Sequence, residues 1–111
     1  MKFKLALAAT IFLTFLSNNV LAQDLDAGRL LYGVCSACHG PNGEGLQALN
    51  SPRIAGQQAW YTIRQIQNFK SGARGSDARD IYGQQMAPMA QTLTTDQAIR
   101  DVSAYIESLG G

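Results

Sequence analysis

Both cysteines and the only histidine of this 111-residue chain lie in the segment GVCSACHGPNGEG, residues 33–45. Cys35, Cys38 and His39 form the pentapeptide C-x-x-C-H, which is typical of covalent attachment of a c-type haem. Two intervening residues place the thiols about one helical turn apart, so each thiol can reach one vinyl group of the same haem. The imidazole of His39 would then lie beneath the iron.

Three other chemistries use the same residue types. A disulfide between Cys35 and Cys38 suits an exported protein, but the thioredoxin-like form of the motif accompanies a βαβ pattern that this sequence lacks. A zinc site needs four ligands, and no further cysteine or histidine completes one. A catalytic Cys/His pair needs a base brought from elsewhere in the fold, whereas His39 directly follows Cys38. The pentapeptide therefore favours haem attachment.

The first 22 residues have the pattern of a secretory signal peptide. Two lysines precede an apolar run from Leu5 to Leu16, and the sequence Val-Leu-Ala ends the segment at Ala22. The apolar run is about 12 residues long, shorter than the ~20 residues that a membrane-spanning helix needs. We therefore expect cleavage before Gln23, which leaves one mature domain, residues 23–111, in the periplasm.

The charge of the mature chain is close to neutral. Residues 23–111 carry seven basic and eight acidic side chains, a net charge of −1. This composition lacks the basic footprint of a nucleic-acid-binding protein. The basic residues between Arg64 and Arg79 are interspersed with Asp77 and Asp80, a pattern that we interpret as a solvated helix face or a docking rim.

Apolar residues recur at helical spacing in three segments, without the alternation of β-branched residues that indicates strands. We expect helices from Leu25 to about Ala37, from about Gln58 to Ser71, and from about Asp96 to Leu109. A threonine, Thr94 or Thr95, should cap the last of them. The sequence thus predicts an all-α domain.

The segments between these helices contain residues that interrupt regular structure. Residues 40–51 are expected to form a loop because glycine and proline recur there. Residues 73–91 are expected to be irregular or briefly helical, since Gly75, Gly83 and Pro88 interrupt them.

Four segments in order along the chain resemble the class I c-type cytochromes: AGRLLYGVCSACHG at 27–40, SPRIAGQQAWY at 51–61, MAPM at 86–89 and AYIESL at 104–109. The resemblance is closest to the small bacterial periplasmic kind, whose domain also occurs in tandem in di-haem proteins. It implies three main helices and loops wrapped around one covalently bound haem that contains iron. The N- and C-terminal helices of this fold cross beside the haem.

The resemblance also assigns roles to individual residues. It makes Gly28 the point where the two terminal helices approach each other, with Tyr105 resting against it, and a residue without Cβ suits such a contact. It makes the carbonyl of Pro52 the acceptor of the Nδ1 hydrogen of His39. That hydrogen bond would fix the histidine tautomer and direct Nε2 toward the iron.

The sixth iron ligand must come from elsewhere in the chain. The mature sequence contains two methionines, Met86 and Met89, and a thioether sulfur stabilises ferrous iron. Chemistry alone leaves both open, since methionine is also a flexible filler of cores. The resemblance assigns the ligand to Met86 and packing to Met89, and we expect Pro88 to force the nearby backbone out of a helix.

Four side chains could hydrogen-bond or charge-pair the haem propionates, although each is equally a packing or surface residue: Arg53, Trp60, Tyr61 and Tyr82.

The resemblance implies a soluble monohaem electron-transfer protein rather than an enzyme. With His39 and Met86 as axial ligands the iron would have no open site for a substrate. We expect a monomer that meets a redox donor and an acceptor in transient complexes. Two alternatives remain open: a cytochrome subunit of a periplasmic dehydrogenase or oxidase complex, and a haem-based ligand sensor in which Met86 dissociates. A disulfide-only binding module, which would be colourless, is the least favoured reading.

Overall fold

A computed structural model describes residues 22–110, and the predicted signal segment lies outside this range except for Ala22. The described chain contains four α-helices and one short 3-10 turn: α1 (Leu25–His39), the turn (Gln47–Leu49), α2 (Ala59–Ser71), α3 (Ile81–Gln91) and α4 (Asp96–Ser108). Within that range the only β-type pairing is an isolated bridge between Leu46 and Ser51. The predicted all-α class is confirmed. None of the helices in the described range has the length and apolarity needed to cross a membrane.

Side chains cap the start of three helices. Asp24 accepts hydrogen bonds of 3.0 Å from two N–H groups in the first turn of α1. The Asp80 carboxylate accepts from the Gly83 N–H (2.9 Å) at the start of α3. The Thr95 hydroxyl accepts from the Ala98 N–H (3.0 Å), so Thr95 is the cap of α4. These bonds satisfy donors that a helix leaves free at its first turn.

Helices α1 and α4 cross in close contact at Gly28, which is buried. A Cβ atom at Gly28 would lie 2.9 Å from the Cβ of Tyr105 and closer still to the carbonyl oxygen of Asp101. The predicted contact of Gly28 with Tyr105 is therefore confirmed. The Asp24 N–H donates to the buried Asp101 carboxylate (2.9 Å), and the ring of Tyr105 lies 5.5 Å from that of Tyr32. The sequence places a glycine where only a glycine allows this approach.

The buried apolar core draws on all four helices. It consists of Tyr32, Ile66, Phe69, Ala90, Leu93, Ile99, Val102 and Ile106.

The expectation that Pro88 forces the backbone out of a helix was wrong, since Pro88 lies inside the 11-residue helix α3. Pro88 lacks the N–H that would bond the carbonyl of Gln84, and both residues are exposed, so water can satisfy that carbonyl. Gly83 has a packing role in this helix. The Asp80 carboxylate that caps α3 lies so close that a Cβ atom at position 83 would clash with it. The segment 73–91 is thus irregular only in its first half.

We expect Gly28→Ala to destabilise the protein by about 1–3 kcal/mol, because the new methyl group overpacks the α1/α4 crossing. Gly33→Ala in the same helix is the matched control, since a Cβ at Gly33 meets no described atom within 4 Å. This control should stabilise the helix by about 0.5–1 kcal/mol. Denaturant unfolding of the two variants measures both effects, and equal stability of Gly28→Ala and wild type would contradict the close crossing.

Candidate haem site

A cavity of about 580 Å³ lies between the four helices and the loop that follows the 3-10 turn. Four of the eight core residues line it: Ile66, Phe69, Leu93 and Ile106. Protein interiors rarely leave voids larger than a water molecule, whereas cofactor sites measure ~300–1,000 Å³ and are mostly apolar. The size and lining of the cavity therefore fit a large apolar cofactor such as haem.

The two cysteines lie in the last turns of α1, and both line this cavity. Both are free thiols, so the structure contains no Cys35–Cys38 disulfide. Cys35 is half-buried, and its burial raises the pKa of the thiol above the ordinary value, with a smaller contribution from Cys38. Cys38 is exposed. The geometry presents two reduced sulfurs, one helical turn apart, to one cavity.

His39 is the last residue of α1 and also lines the cavity. Its Nδ1 lies 2.8 Å from the carbonyl oxygen of Pro52. With Nδ1–H as the donor to this carbonyl, Nε2 is left with a free lone pair for a metal. The geometry that the resemblance implies for these two residues is therefore present.

The backbone around His39 is held by two further hydrogen bonds. The Gly45 N–H donates to the carbonyl of His39 (2.7 Å). The Tyr32 hydroxyl donates to the carbonyl of Gly40 (2.6 Å). Burial is the main cause that raises the pKa of Tyr32 to about 12, so this hydroxyl stays protonated as a donor at neutral pH. The loop that follows the histidine is thus anchored to α1.

Both methionines of α3 line the cavity, at positions three residues apart on one face of the helix. Met86 is half-buried and packs against the core cluster. Met89 has 37% of its surface exposed. The structure brings both thioethers to the site.

Three of the four candidate propionate contacts line the cavity, and one does not. Arg53, Tyr61 and Tyr82 line the cavity. Trp60 is not among the lining residues; it is 56% exposed, and its Nε1 donates to the side-chain oxygen of Gln58 (2.7 Å).

Sequence reasoning missed several polar residues that line the cavity: Thr62, Gln65, Arg74, Asp80 and Gln85. The sequence could have predicted the position of Gln65, because it lies four residues from both Tyr61 and Phe69 and so shares their face of α2. Arg74 and Asp80 follow the end of that helix, where no helical periodicity predicts which side chains face the cavity. Arg74 is exposed, as the interpretation of these charges as a solvated face expects, whereas Asp80 is half-buried.

The site geometry also bears on the rival chemistries. Within residues 22–110, no group of three or more His, Cys, Asp or Glu side chains could hold a metal ion, which disfavours zinc. Nδ1 of His39 contacts a carbonyl, so that nitrogen is not available as a base for a cysteine nucleophile.

The fold and the cavity together define a class, a small all-α domain that presents a C-x-x-C-H helix end to a haem-sized cavity. Comparison with known proteins agrees, because residues 25–110 match the model of the cytochrome c family. The chain is 40% identical over 87 residues to cytochrome c-554(548) of Halomonas halodenitrificans, covering 78% of this chain and 98% of that protein. It is 34% identical over 96 residues to cytochrome c4 of Azotobacter vinelandii, covering 78% of this chain and 44% of that protein.

A solved structure supports the same assignment. The chain resembles reduced recombinant cytochrome c4 from Pseudomonas stutzeri with a TM-score of 0.64 and 30% identity, covering 75% of this chain and 46% of that one. The chain spans less than half the length of these cytochromes c4. It belongs to the cytochrome c family. The predicted class I fold and the c-type haem cofactor are confirmed by this membership. The relatives named here, the cytochromes c4 and cytochrome c-554(548), are electron-transfer proteins rather than enzymes.

Proposed function

We propose that the mature chain, residues 23–111, is a periplasmic one-electron carrier with one haem attached through Cys35 and Cys38. The observation that carries the proposal is the single cavity that both thiols, the His39 imidazole and two thioethers line. Membership of the cytochrome c family supports it, as does the match over nearly the whole of cytochrome c-554(548). The haem supplies a ferric/ferrous couple that gains or loses one electron.

In this proposal each residue of the motif has a separate task. Cys35 and Cys38 anchor the haem by thioether bonds, so the cofactor cannot dissociate during repeated turnover. His39 would bind the iron through Nε2, while the hydrogen bond from Nδ1 to the Pro52 carbonyl fixes the orientation of its ring. The ligand is thus held by both the helix end and the loop that faces it.

We assign the second axial position to Met86. Its half-buried side chain packs against the core, which favours one fixed position for the sulfur, whereas Met89 is more exposed. A methionine ligand stabilises the ferrous state and raises the reduction potential. His39 and Met86 would both hold the iron and so leave no site there for a substrate, and an electron carrier needs none.

Location and partners follow from different observations. The signal-peptide pattern of residues 1–22 supports export to the periplasm. The family implies redox proteins as partners. We propose a monomer that exchanges its electron with a donor and an acceptor in short-lived complexes.

Covalent attachment gives a direct test of the two cysteines. Haem should remain with the wild-type polypeptide through acid-acetone extraction and denaturing electrophoresis. Cys35→Ala and Cys38→Ala should each weaken or abolish this retention, because one thioether is lost. Ser36→Ala is the control, since Ser36 lies between the cysteines and its hydroxyl only donates to the Gly33 carbonyl (2.7 Å). Haem that washes out of the wild-type protein would exclude the attachment.

A second test separates the two methionines. The oxidised protein should show the weak red-edge absorption band of methionine sulfur bound to ferric iron, and Met86→Ala should remove it. The same variant should have a lower reduction potential and should bind carbon monoxide when reduced, because the sixth position is open. Met89→Ala should keep the band and cost less than the roughly 2–5 kcal/mol of a fully buried methionine.

The reverse pattern would exchange the roles of Met86 and Met89. A band that survives both substitutions would mean that the sixth ligand is neither methionine. The proposal of an electron carrier with a closed iron would then fail.

A further inference from the structure

The indole of Trp60 lies on the outer side of α2, in the first turn of the helix. It is 56% exposed, although tryptophan is highly buried on average in folded proteins. Its Nε1–H donates to the side-chain oxygen of Gln58 (2.7 Å). The ring of Tyr61 meets it edge-on with centroids 5.8 Å apart, and the guanidinium carbon of Arg64 lies 5.1 Å from its centroid. Three contacts therefore hold an exposed indole in one position.

Trp60, Tyr61 and Arg64 are all exposed and form one surface, here called the aromatic face of α2. Tyr61 also lines the haem-sized cavity, whereas Trp60 and Arg64 do not. An aromatic contact thus runs from the wall of the cavity to the outer surface. A redox protein that docks on this face would come within two aromatic rings of the cavity.

The charges of the mature chain are segregated around this face. Residues 52–76, which contain α2, carry four basic side chains and no acidic one. The rest of the mature chain carries three basic and eight acidic side chains, a net charge of −5. Within residues 22–110 the one ion pair joins Arg79 to Asp77, so no carboxylate of this range neutralises Arg64. The α2 side is the positive side of the molecule, and it complements an acidic surface.

The composition of α2 favours a protein partner over a membrane surface. A helix that lies on a membrane presents a broad apolar face to the lipid. The aliphatic and phenylalanine side chains of α2 instead belong to the core or pack against it: Ile63, Ile66 and Phe69. Beyond the aromatic pair, the exposed positions of the helix are polar: Arg64, Gln67 and Ser71. A small surface built on tryptophan and arginine has the composition of a protein-binding hot spot.

We infer that the aromatic face of α2 docks the acidic surface of a redox protein, with Trp60 as the apolar anchor and Arg64 as the charged contact. The inference rests on the proposed function, since the docked partner exchanges its electron with the haem. An indole that is already held in place loses little conformational freedom on binding, which favours its role as the anchor. Arg64 would steer the encounter and contact a carboxylate of the partner.

NMR locates the contact directly, because Trp60 is the only tryptophan of the chain and its indole N–H gives one signal. The haem-loaded ferrous protein is titrated with flavodoxin, an acidic one-electron redox protein, at low ionic strength. The indole signal should shift on titration, and added salt should reverse the shift. An indole signal that stays fixed while other signals shift would place the docking site elsewhere and overturn the inference.

Stopped-flow kinetics tests the same contact through function. Reduced flavodoxin loses one electron and the ferric iron gains it. Trp60→Ala should weaken flavodoxin binding about tenfold or more and lower the second-order rate constant, because the anchor is lost. Arg64→Gln should lower the rate constant at low ionic strength and flatten its dependence on salt.

Two variants of α1 are the matched controls. Leu30→Ala removes an apolar side chain that is 72% exposed, and Arg29→Gln removes an exposed arginine. Neither residue lines the cavity, and both variants should react as wild type does. A loss in Leu30→Ala that equals the loss in Trp60→Ala would overturn the role of Trp60. Equal effects of Arg29→Gln and Arg64→Gln would reduce the role of Arg64 to net charge and overturn the specific contact.

Vesicles of phosphatidylglycerol and phosphatidylcholine test the membrane alternative by co-sedimentation. Binding to these vesicles that Trp60→Ala abolishes, without any response to flavodoxin, would assign the face to a lipid surface and overturn the inference.

Failure of the inference and failure of the proposed function give different results. Covalent haem and the red-edge band should persist in Trp60→Ala, since Trp60 lies outside the cavity lining. Their absence from wild type would refute the proposed function, whereas wild-type binding and kinetics in Trp60→Ala would overturn only the docking site. If Trp60→Ala does not mature, Arg64→Gln against Arg29→Gln decides. Only Arg64→Gln should slow the reaction, and equal rates would overturn the inference.

Discussion

The cavity of about 580 Å³ between the helices is the constraint on which the rest of this structure depends. Half of the buried core residues line it, so a bound cofactor packs directly against the core. A domain of 89 residues has limited apolar surface of its own, and it buries a smaller fraction of its surface than a larger protein does. In this fold the cofactor is therefore part of the core as well as the redox centre.

A single helix connects packing to chemistry. The 15-residue helix α1 spans about 22 Å, with Gly28 near one end and the cysteines and His39 at the other. The close contact of Gly28 with α4 fixes the position of the helix, and Tyr32 ties its face to the loop that follows the histidine. A change at the crossing would thus move the residues that hold the haem, although none of them is adjacent to Gly28 in the sequence.

The sequence predicted the parts of the molecule that depend on local pattern. The pentapeptide and the helices α1, α2 and α4, whose bounds were predicted to within about two residues, have signatures in residue type or spacing. The close approach at Gly28 was predicted from the resemblance to the class I c-type cytochromes. The helix around Met86 was not predicted, because glycine and proline are both unfavourable inside a helix. Gly83 is accommodated because the Asp80 carboxylate caps the helix at that residue, and Pro88 because the carbonyl that it leaves without a donor is exposed to solvent. Arg74 was also missed, since its contact with Phe69 depends on how the chain turns after Gly72.

The central claim, that haem completes the core, is tested most directly by thermal unfolding followed by circular dichroism, with and without haem. The haem-loaded chain should unfold in one cooperative transition. The same chain produced without haem attachment should lack a cooperative transition and be largely disordered or molten, because the core residues that line the cavity lose the apolar haem surface as a packing partner. Cooperative unfolding of the haem-free chain at a midpoint similar to that of the loaded protein would contradict the account.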